Sequence, residues 1–361
     1  KLPQGIGWLG ETAEKHGIRF GIWIEPEMTN TKSELYEKHP DWVVKAQNRD
    51  LVTGRGGTQL LLDLSNPAVQ DFVFGVVDNI MTENPDIAYI KWDANMDISA
   101  HGSQYLKNQN HLYIEYHRGL AKVLDRVRAK YPDLTIQACA SGGGRANYGI
   151  MPWFDEFWVS DDTDALQRLY LQWGTSYFYP SIAMASHISA APNHQTGRNV
   201  PMKFRIDVAM SGRLGMEIQP MNMTEAEKEL CRQAISDYKK IRPIVQFGDL
   251  YRLDSPYDDN GIASLMYCSD DKQKAVFYWW KPLGFCDEHL PVVKMEGLEP
   301  ESMYKVTELH PIDRFPLSCE GKMFSGKYLM ENGLVLPNSH SAKNPEFGSS
   351  WASRVLYLEA Q

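Results

Sequence analysis

Up to about residue 247 this chain repeats one pattern: a short apolar run, a polar cluster, then helical sequence. Apolar runs at 18–24, 87–90, 134–138, 157–159, 181–185 and 214–218 read as buried strands. Strands that alternate with helices pair in parallel through right-handed crossovers. The polar clusters fall at the carboxyl ends of the strands, where closed barrels assemble their chemistry, and this favours a barrel over an open sheet. Eight strand–helix units close such a barrel. Six are countable, so the expected fold is an α/β (β/α)8 TIM-type barrel lacking its first two strands in this chain. Residues 7–16 make a short amphipathic helix, Asn66-Pro67 opens a second with Pro at its first position, and a long helix covers about 112–130.

After Ile244 the character changes. Short β-type runs at 252–256, 263–267, 275–280, 303–309, 334–336 and 355–358 are separated by Gly, Pro, Asn and Asp turns. The expected organisation is a catalytic barrel over 1–247 and an antiparallel all-β domain, a β-sandwich, over 248–361.

Several function classes fall away on composition. The 361 residues suit a large barrel with a companion domain, and 43% apolar content supplies its core. A net charge of −9 without a Lys/Arg stripe argues against a nucleic-acid partner. No run is long enough to span a bilayer, so no membrane partner is expected. No signal peptide opens the chain, but Lys1 reads as mid-domain sequence; the compartment, cytoplasmic or periplasmic and secreted, stays open. Cys139, Cys231, Cys268, Cys286 and Cys319 include no Cys-x-x-Cys pair, so neither a disulfide framework nor a zinc site follows. Calcium-loop and His-x-x-x-His spacings are absent too, and the expectation is no metal and no cofactor. Ten Trp and eighteen Tyr suit the flat faces of sugars, though they fill cores equally well.

The most informative cluster is Lys91-Trp92-Asp93-Ala94-Asn95, which leaves the end of a buried strand as one polar group. Ionisable groups there need a task or a partner, and a plain Lys91–Asp93 ion pair is the bland reading. Asp161, in Ser160-Asp161-Asp162-Thr163-Asp164, ends another strand. Acetal hydrolysis needs a carboxylate on one face of the anomeric carbon and an acid at the leaving oxygen. Lys91, on the same side of its strand by period-two alternation, favours ionised Asp93. Asp162 and Asp164 would keep Asp161 protonated by like-charge repulsion. The Asp cluster also suits a helix N-cap, through Thr163 or Asp164. Cys139-Ala140-Ser141-Gly142-Gly143-Gly144-Arg145 lacks both nucleotide-loop spacings, and its glycines let backbone N–H groups approach a sugar hydroxyl. Cys139 reads as a contact residue rather than a nucleophile. Glu25 is expected to fix Lys91 or a neighbouring backbone, and His187 to support the site.

Together these segments resemble the α-galactosidases (melibiases) of glycoside hydrolase family 36. The likeness runs through Gly21-Ile22-Trp23-Ile24-Glu25-Pro26-Glu27-Met28, Leu62-Asp63-Leu64-Ser65, the Asp93 and Asp161 clusters, the 139–145 loop, Pro192-Asn193-His194-Gln195 and Gly212-Arg213-Leu214-Gly215-Met216-Glu217. The resemblance implies a retaining double displacement that removes terminal α-linked galactose from raffinose- or melibiose-type oligosaccharides. Asp93 would be the nucleophile and Asp161 the acid/base. Lys91, Trp92, Asn95, Cys139, Ser141, Gly142 and Gly143 would contact the sugar, with Asp162 and Asp164 in support. Arg55 would join them only if its loop, two residues longer than the family's, bulges. The resemblance also implies an N-terminal β-sandwich and two strands before Lys1, so this chain alone is expected to be inactive or badly folded. The full-length form is expected to be a homo-oligomer. α-N-Acetylgalactosaminidase or galactosyl transfer are alternatives on the same scaffold; a non-catalytic carbohydrate-binding barrel or a metal-dependent hydrolase would be a different class.

Overall fold

A computed structural model describes residues 2–99, 101–259, 261–284, 292–312, 317–337 and 350–361. Cys286 lies outside the described residues. The chain forms two compact units, Lys1–Trp158 and Val159–Gln361.

In the first unit, helix α1 (Gly5–Lys15) leads into strand β1 (Phe20–Ile24). A small antiparallel ribbon of β2 (Met28–Asn30) and β3 (Gln59–Leu61) flanks helix α2 (Glu34–Lys38). Helix α3 (Pro67–Glu83), β4 (Ile87–Trp92), α4 (Leu112–Lys130), β5 (Thr135–Ala138) and β6 (Glu156–Trp158) follow. Strands β1, β4, β5 and β6 pair in parallel in that order, with Trp23 beside Lys91 and Lys91 beside Gln137. Their carboxyl ends therefore share one edge. Local signals set the helix ends. Asn66 accepts from Ala68 N–H as the cap of α3, and Pro67 follows without a donor to waste. Gly119 brings α4 against the chain after β3, where an added Cβ would sit 1.8 Å from the Leu64 carbonyl oxygen. The same stretch is held by buried Asp63, whose carboxylate accepts from both Ser65 and Ser103 hydroxyls at 2.5 Å.

The second unit opens with α5 (Ala165–Thr175), β7 (Met184–Ser189), α6 (Met202–Ala209), β8 (Arg213–Glu217) and α7 (Glu225–Phe247). β7 and β8 are parallel. The expected strand at 181–185 is corrected: residues 181–183 are a 3-10 turn, and β7 starts at Met184. Buried Ser181 gives its hydroxyl to the Val245 carbonyl, which ties this segment to α7 instead of to a strand neighbour.

The antiparallel part follows within the same unit: β9 (Asp249–Asp254), β10 (Ala263–Cys268), β11 (Lys274–Lys281), β12 (Val292–Val293), β13 (Met303–Glu308), β14 (Met323–Ser325), α8 (Gly326–Glu331), β15 (Leu334–Val335) and β16 (Ala352–Ala360). Six strands form one sheet in the order β14-β13-β16-β11-β10-β9, and β12 pairs with β15. β11 explains its own unbroken apolar run. Val276, Tyr278 and Trp280 join the core with α6 and α7, while Ala275, Phe277 and Trp279 face the core that includes Val293, Leu334 and Leu336. Alternate residues are buried on opposite faces, so no polar face remains. The second layer of the expected sandwich is correspondingly slight: among the described residues it is the β12–β15 pair with α8. Tyr267 and Tyr278 give their hydroxyls to the Ser211 and Met210 carbonyls, and so fasten the sheet to the end of α6.

Buried charge reinforces this junction. Lys203 on α6 meets Asp207 at 2.5 Å, and His310 after β13 reaches Asp207 at 2.8 Å and Asp237 of α7 at 3.1 Å. Among the described residues no helix is long and apolar enough to cross a membrane.

Candidate active site

Asp93 stands immediately beyond β4, 6% exposed, with its N–H given to the Ile24 carbonyl at 2.9 Å. Trp23 of β1 donates its indole N–H to Oδ2 at 3.0 Å, and the Ala94 N–H reaches Oδ1 at 2.9 Å. Burial pushes this carboxyl up, but the hydrogen bonds from Trp23, Asn95, Cys139 and Ala94 outweigh it and hold Asp93 below the usual carboxylate range. Donors therefore do the work expected of Lys91, whose ammonium lies 4.9 Å from the centroid of the Trp158 ring. An ionised, fixed carboxylate is what a nucleophile requires.

Around Asp93 the first unit collects most of the expected contact residues. Asn95 is the hub. Its side-chain oxygen accepts from Arg55 at 3.2 Å and Ser141 at 3.1 Å, and its amide donates to Glu25 at 2.7 Å. Glu25 also accepts the Asn95 backbone N–H at 2.9 Å and Gln59 at 3.0 Å, so it fixes a neighbouring backbone rather than Lys91. Arg55 opens a 3-10 turn, Arg55–Gly57, in which Gly56 and Gly57 take φ of 63° and 70°, a region open to glycine. Burial pushes the Cys139 thiol up to about 12. The thiol donates to Asp93, an arrangement that suits a contact residue. The glycine-rich loop turns tightly, with Ser141 at φ 49° and Gly142 at φ 89°, and the Ala140 N–H bonds the Gly142 carbonyl at 2.8 Å. Gly143 bridges back to Ala140. Beside the loop a cleft of about 400 Å³ is lined by Asn95, Met96, Tyr113, Ser141 and Arg145, a size that suits a small ligand.

Trp92 requires a correction. It is fully buried, and its indole N–H goes to Glu27 at 2.8 Å, so it backs the site wall without facing a ligand. The indole in the site is that of Trp23, 52% exposed, which residue-type reasoning had left without a role. Glu27 and Arg145 were missed as well. Period-two alternation, applied to Trp92 as it was to Lys91, would have sent Trp92 to the opposite face. Nothing local marks the Glu27–Arg145 pairing.

In the second unit the Asp cluster divides its duties. Asp164 caps α5, accepting from Leu166 N–H at 2.8 Å and Gln167 N–H at 3.3 Å, and pairs with Arg198 at 2.5 Å. Asp162 accepts the Asp164 N–H at 3.0 Å. Thr163 accepts from Asn193 at 3.0 Å. Asp161 is half-buried at the head of this turn. His187 lies within β7 rather than at its end, 3.4 Å from Glu217 across the β7–β8 pair. Gly215 makes room for its ring. Among the described residues, no group of three or more His, Cys, Asp or Glu side chains is placed to hold a metal ion.

The sequence profile of the family described as melibiase matches residues 1–248, and that of the glycosyl hydrolase family 36 C-terminal domain matches 262–358. α-Galactosidase AgaA of Geobacillus stearothermophilus is 37% identical over 339 residues, which cover 93% of this chain and 44% of that protein. The crystal structure of the family 36 α-galactosidase AgaB from the same organism superposes with a TM-score of 0.90 at 35% identity, covering 100% of this chain and 47% of that one. A variant of AgaA crystallised with raffinose gives 0.90 at 34% identity, covering 99% and 47%. The chain thus spans about half the length of the relatives it matches.

Proposed function

Since the chain belongs to the melibiase family, glycosyl hydrolase family 36, we propose that it carries the catalytic carboxylates of a retaining α-galactosidase. Its substrate is a terminal α-linked galactoside of the raffinose type, the ligand named for the AgaA complex. Asp93 attacks the anomeric carbon to form a galactosyl-aspartate. Asp161 protonates the leaving oxygen and then deprotonates the incoming water. Asn95, Arg55, Lys91, Cys139, Ser141, Gly142 and Gly143 hold the sugar. Glu25 fixes Asn95, Asp162 and Asp164 shape the second strand-end cluster, and His187 lends support from within β7. The barrel portion occupies 1–247 and the β-domain 248–361, a division supported by where the two profile matches end and begin. The single observation that carries the reading is Asp93 itself, a buried carboxylate beyond a strand end, kept ionised by several donors and ringed by polar side chains.

The test is galactose release from an aryl α-galactoside by the full-length protein, followed by NMR. Release of the α-anomer first supports double displacement; release of the β-anomer would overturn it. Asp93→Ala should abolish turnover and covalent labelling by a mechanism-based galactosyl inhibitor. Asp161→Ala should keep activity only toward activated leaving groups, with azide restoring part of the rate. An N-acetylgalactosaminide offered in parallel decides the sugar.

A further inference from the structure

Glu27 is 0% exposed, yet it takes no part in the chemistry proposed above. Its carboxylate accepts from Trp92 at 2.8 Å, Tyr116 at 2.6 Å, and both ends of the Arg145 guanidinium at 3.0 and 2.9 Å. These donors come from β4, from α4 and from the loop after β5. Burial works to raise the Glu27 pKa, and Arg145 with the other donors more than offsets it, so the pair is ionised. A buried ion pair is a poor source of net stability, since a well-packed apolar pair often does as well. What a bidentate Arg–carboxylate fork adds is direction.

The fork's direction bears on the site at both ends. Trp92 is the residue before Asp93, and Arg145 closes the loop whose Cys139 donates to Asp93 and whose Ser141 donates to Asn95. That loop holds a non-glycine residue in left-handed backbone, Ser141 at φ 49°. Such a conformation persists only where the surroundings over-determine it. We propose that Glu27 and Arg145 are positioning residues whose fork clamps the 139–145 loop to the end of β4 and so keeps the Asp93 carboxylate aimed at the anomeric carbon. The proposal rests on the α-galactosidase reading and adds to it two residues that act through the loop and the end of β4.

The test uses Glu27→Gln, Arg145→Met, the double variant and Arg145→Lys in the full-length protein, with kcat on an aryl α-galactoside, Ki for galactose and the melting temperature. Loss of aim by about 1 Å costs on the order of 10²-fold, so each single variant should lose about that much kcat. Galactose Ki should rise by less than kcat falls, because the loosened loop carries part of the sugar contacts while Asn95, Arg55 and Lys91 keep theirs. The double variant removes both buried charges and should melt close to the wild type, yet stay about 10²-fold slow. Arg145→Lys keeps the charge without the fork and should likewise regain stability but not kcat. Recovery of wild-type kcat in the double variant would make the pair a mere stability element and overturn the proposal, as would unimpaired single variants. If the single variants fail to fold, the double variant decides. A wild-type protein that releases no galactose would overturn the enzyme reading and the clamp together; an active wild type with an unaffected double variant overturns the clamp alone.

Discussion

Trp23→Phe isolates one donor to Asp93 while keeping an aromatic face in place. The indole N–H lies 3.0 Å from Oδ2, and it is one of the hydrogen bonds that hold the carboxyl below its usual range against the opposing effect of burial. A hydrogen bond to a charged group is worth about 1.5–3 kcal/mol. Trp23 is 52% exposed, so water competes for the lost bond and about 1 kcal/mol is the better figure. That changes the ratio of ionised to protonated Asp93 by about fivefold. The sign follows from the ionised form losing a partner: the carboxyl titrates at higher pH in the variant. The assay is kcat/KM on an aryl α-galactoside against pH, whose acidic limb reports the free enzyme's nucleophile. With each curve normalised to its own plateau, the variant should be about fivefold more depressed on that limb. Normalisation removes any loss of sugar contact, which scales the whole curve. Superimposable acidic limbs would refute the claim that donors, rather than Lys91, keep Asp93 ionised.

Three further outcomes follow from buried groups. Asp207→Asn strips the partner from Lys203, 3% exposed, and should cost about 3–5 kcal/mol in chemical denaturation. Burial raises the Asp207 pKa, but Lys203 and His310 outweigh it and hold it well below the usual range. Its contribution is therefore complete above the unfolded value of about 3.9 and is lost as pH falls through the folded value, so the variant should show a flatter acid branch of stability. Gly119→Ala places a Cβ against the Leu64 carbonyl and should cost about 1–3 kcal/mol by the same measurement. Cys139, with its thiol pushed up to about 12, should resist iodoacetamide at pH 8 until the protein is denatured, as read by peptide mass spectrometry.

What was legible in the sequence was local. Asn66-Pro67 marks the start of α3 because cap and first residue are adjacent, and Asp164 announces α5 for the same reason. Asp93 stood out because a carboxylate directly after a buried strand is conspicuous without knowing its neighbours. The errors share a cause too. Segment 181–185 looked like a strand because its apolar residues are those of a strand, but its start is a 3-10 turn closed by local backbone bonds, Ala183 N–H to the Pro180 carbonyl among them, and Ser181 gives its hydroxyl to Val245, 64 residues away. The resemblance puts Trp92 among the sugar contacts, whereas the pleat that sets Lys91 and Asp93 on one side sets Trp92 on the other. The expected aid to Asp93 ionisation was a charge two residues away, and the donors that lower its pKa are two neighbours, Asn95 and Ala94, with Trp23, 70 residues away, and a thiol in the next strand's loop. Glu27 shows the limit of reading along the chain. Its glutamate is visible in the same Glu-Pro-Glu motif as Glu25, but the guanidinium that gives it meaning is 118 residues on. Short-range patterns name the groups that could react; which of them is ionised, braced or hidden is decided by partners that only the parallel register of β1, β4 and β5 brings within reach.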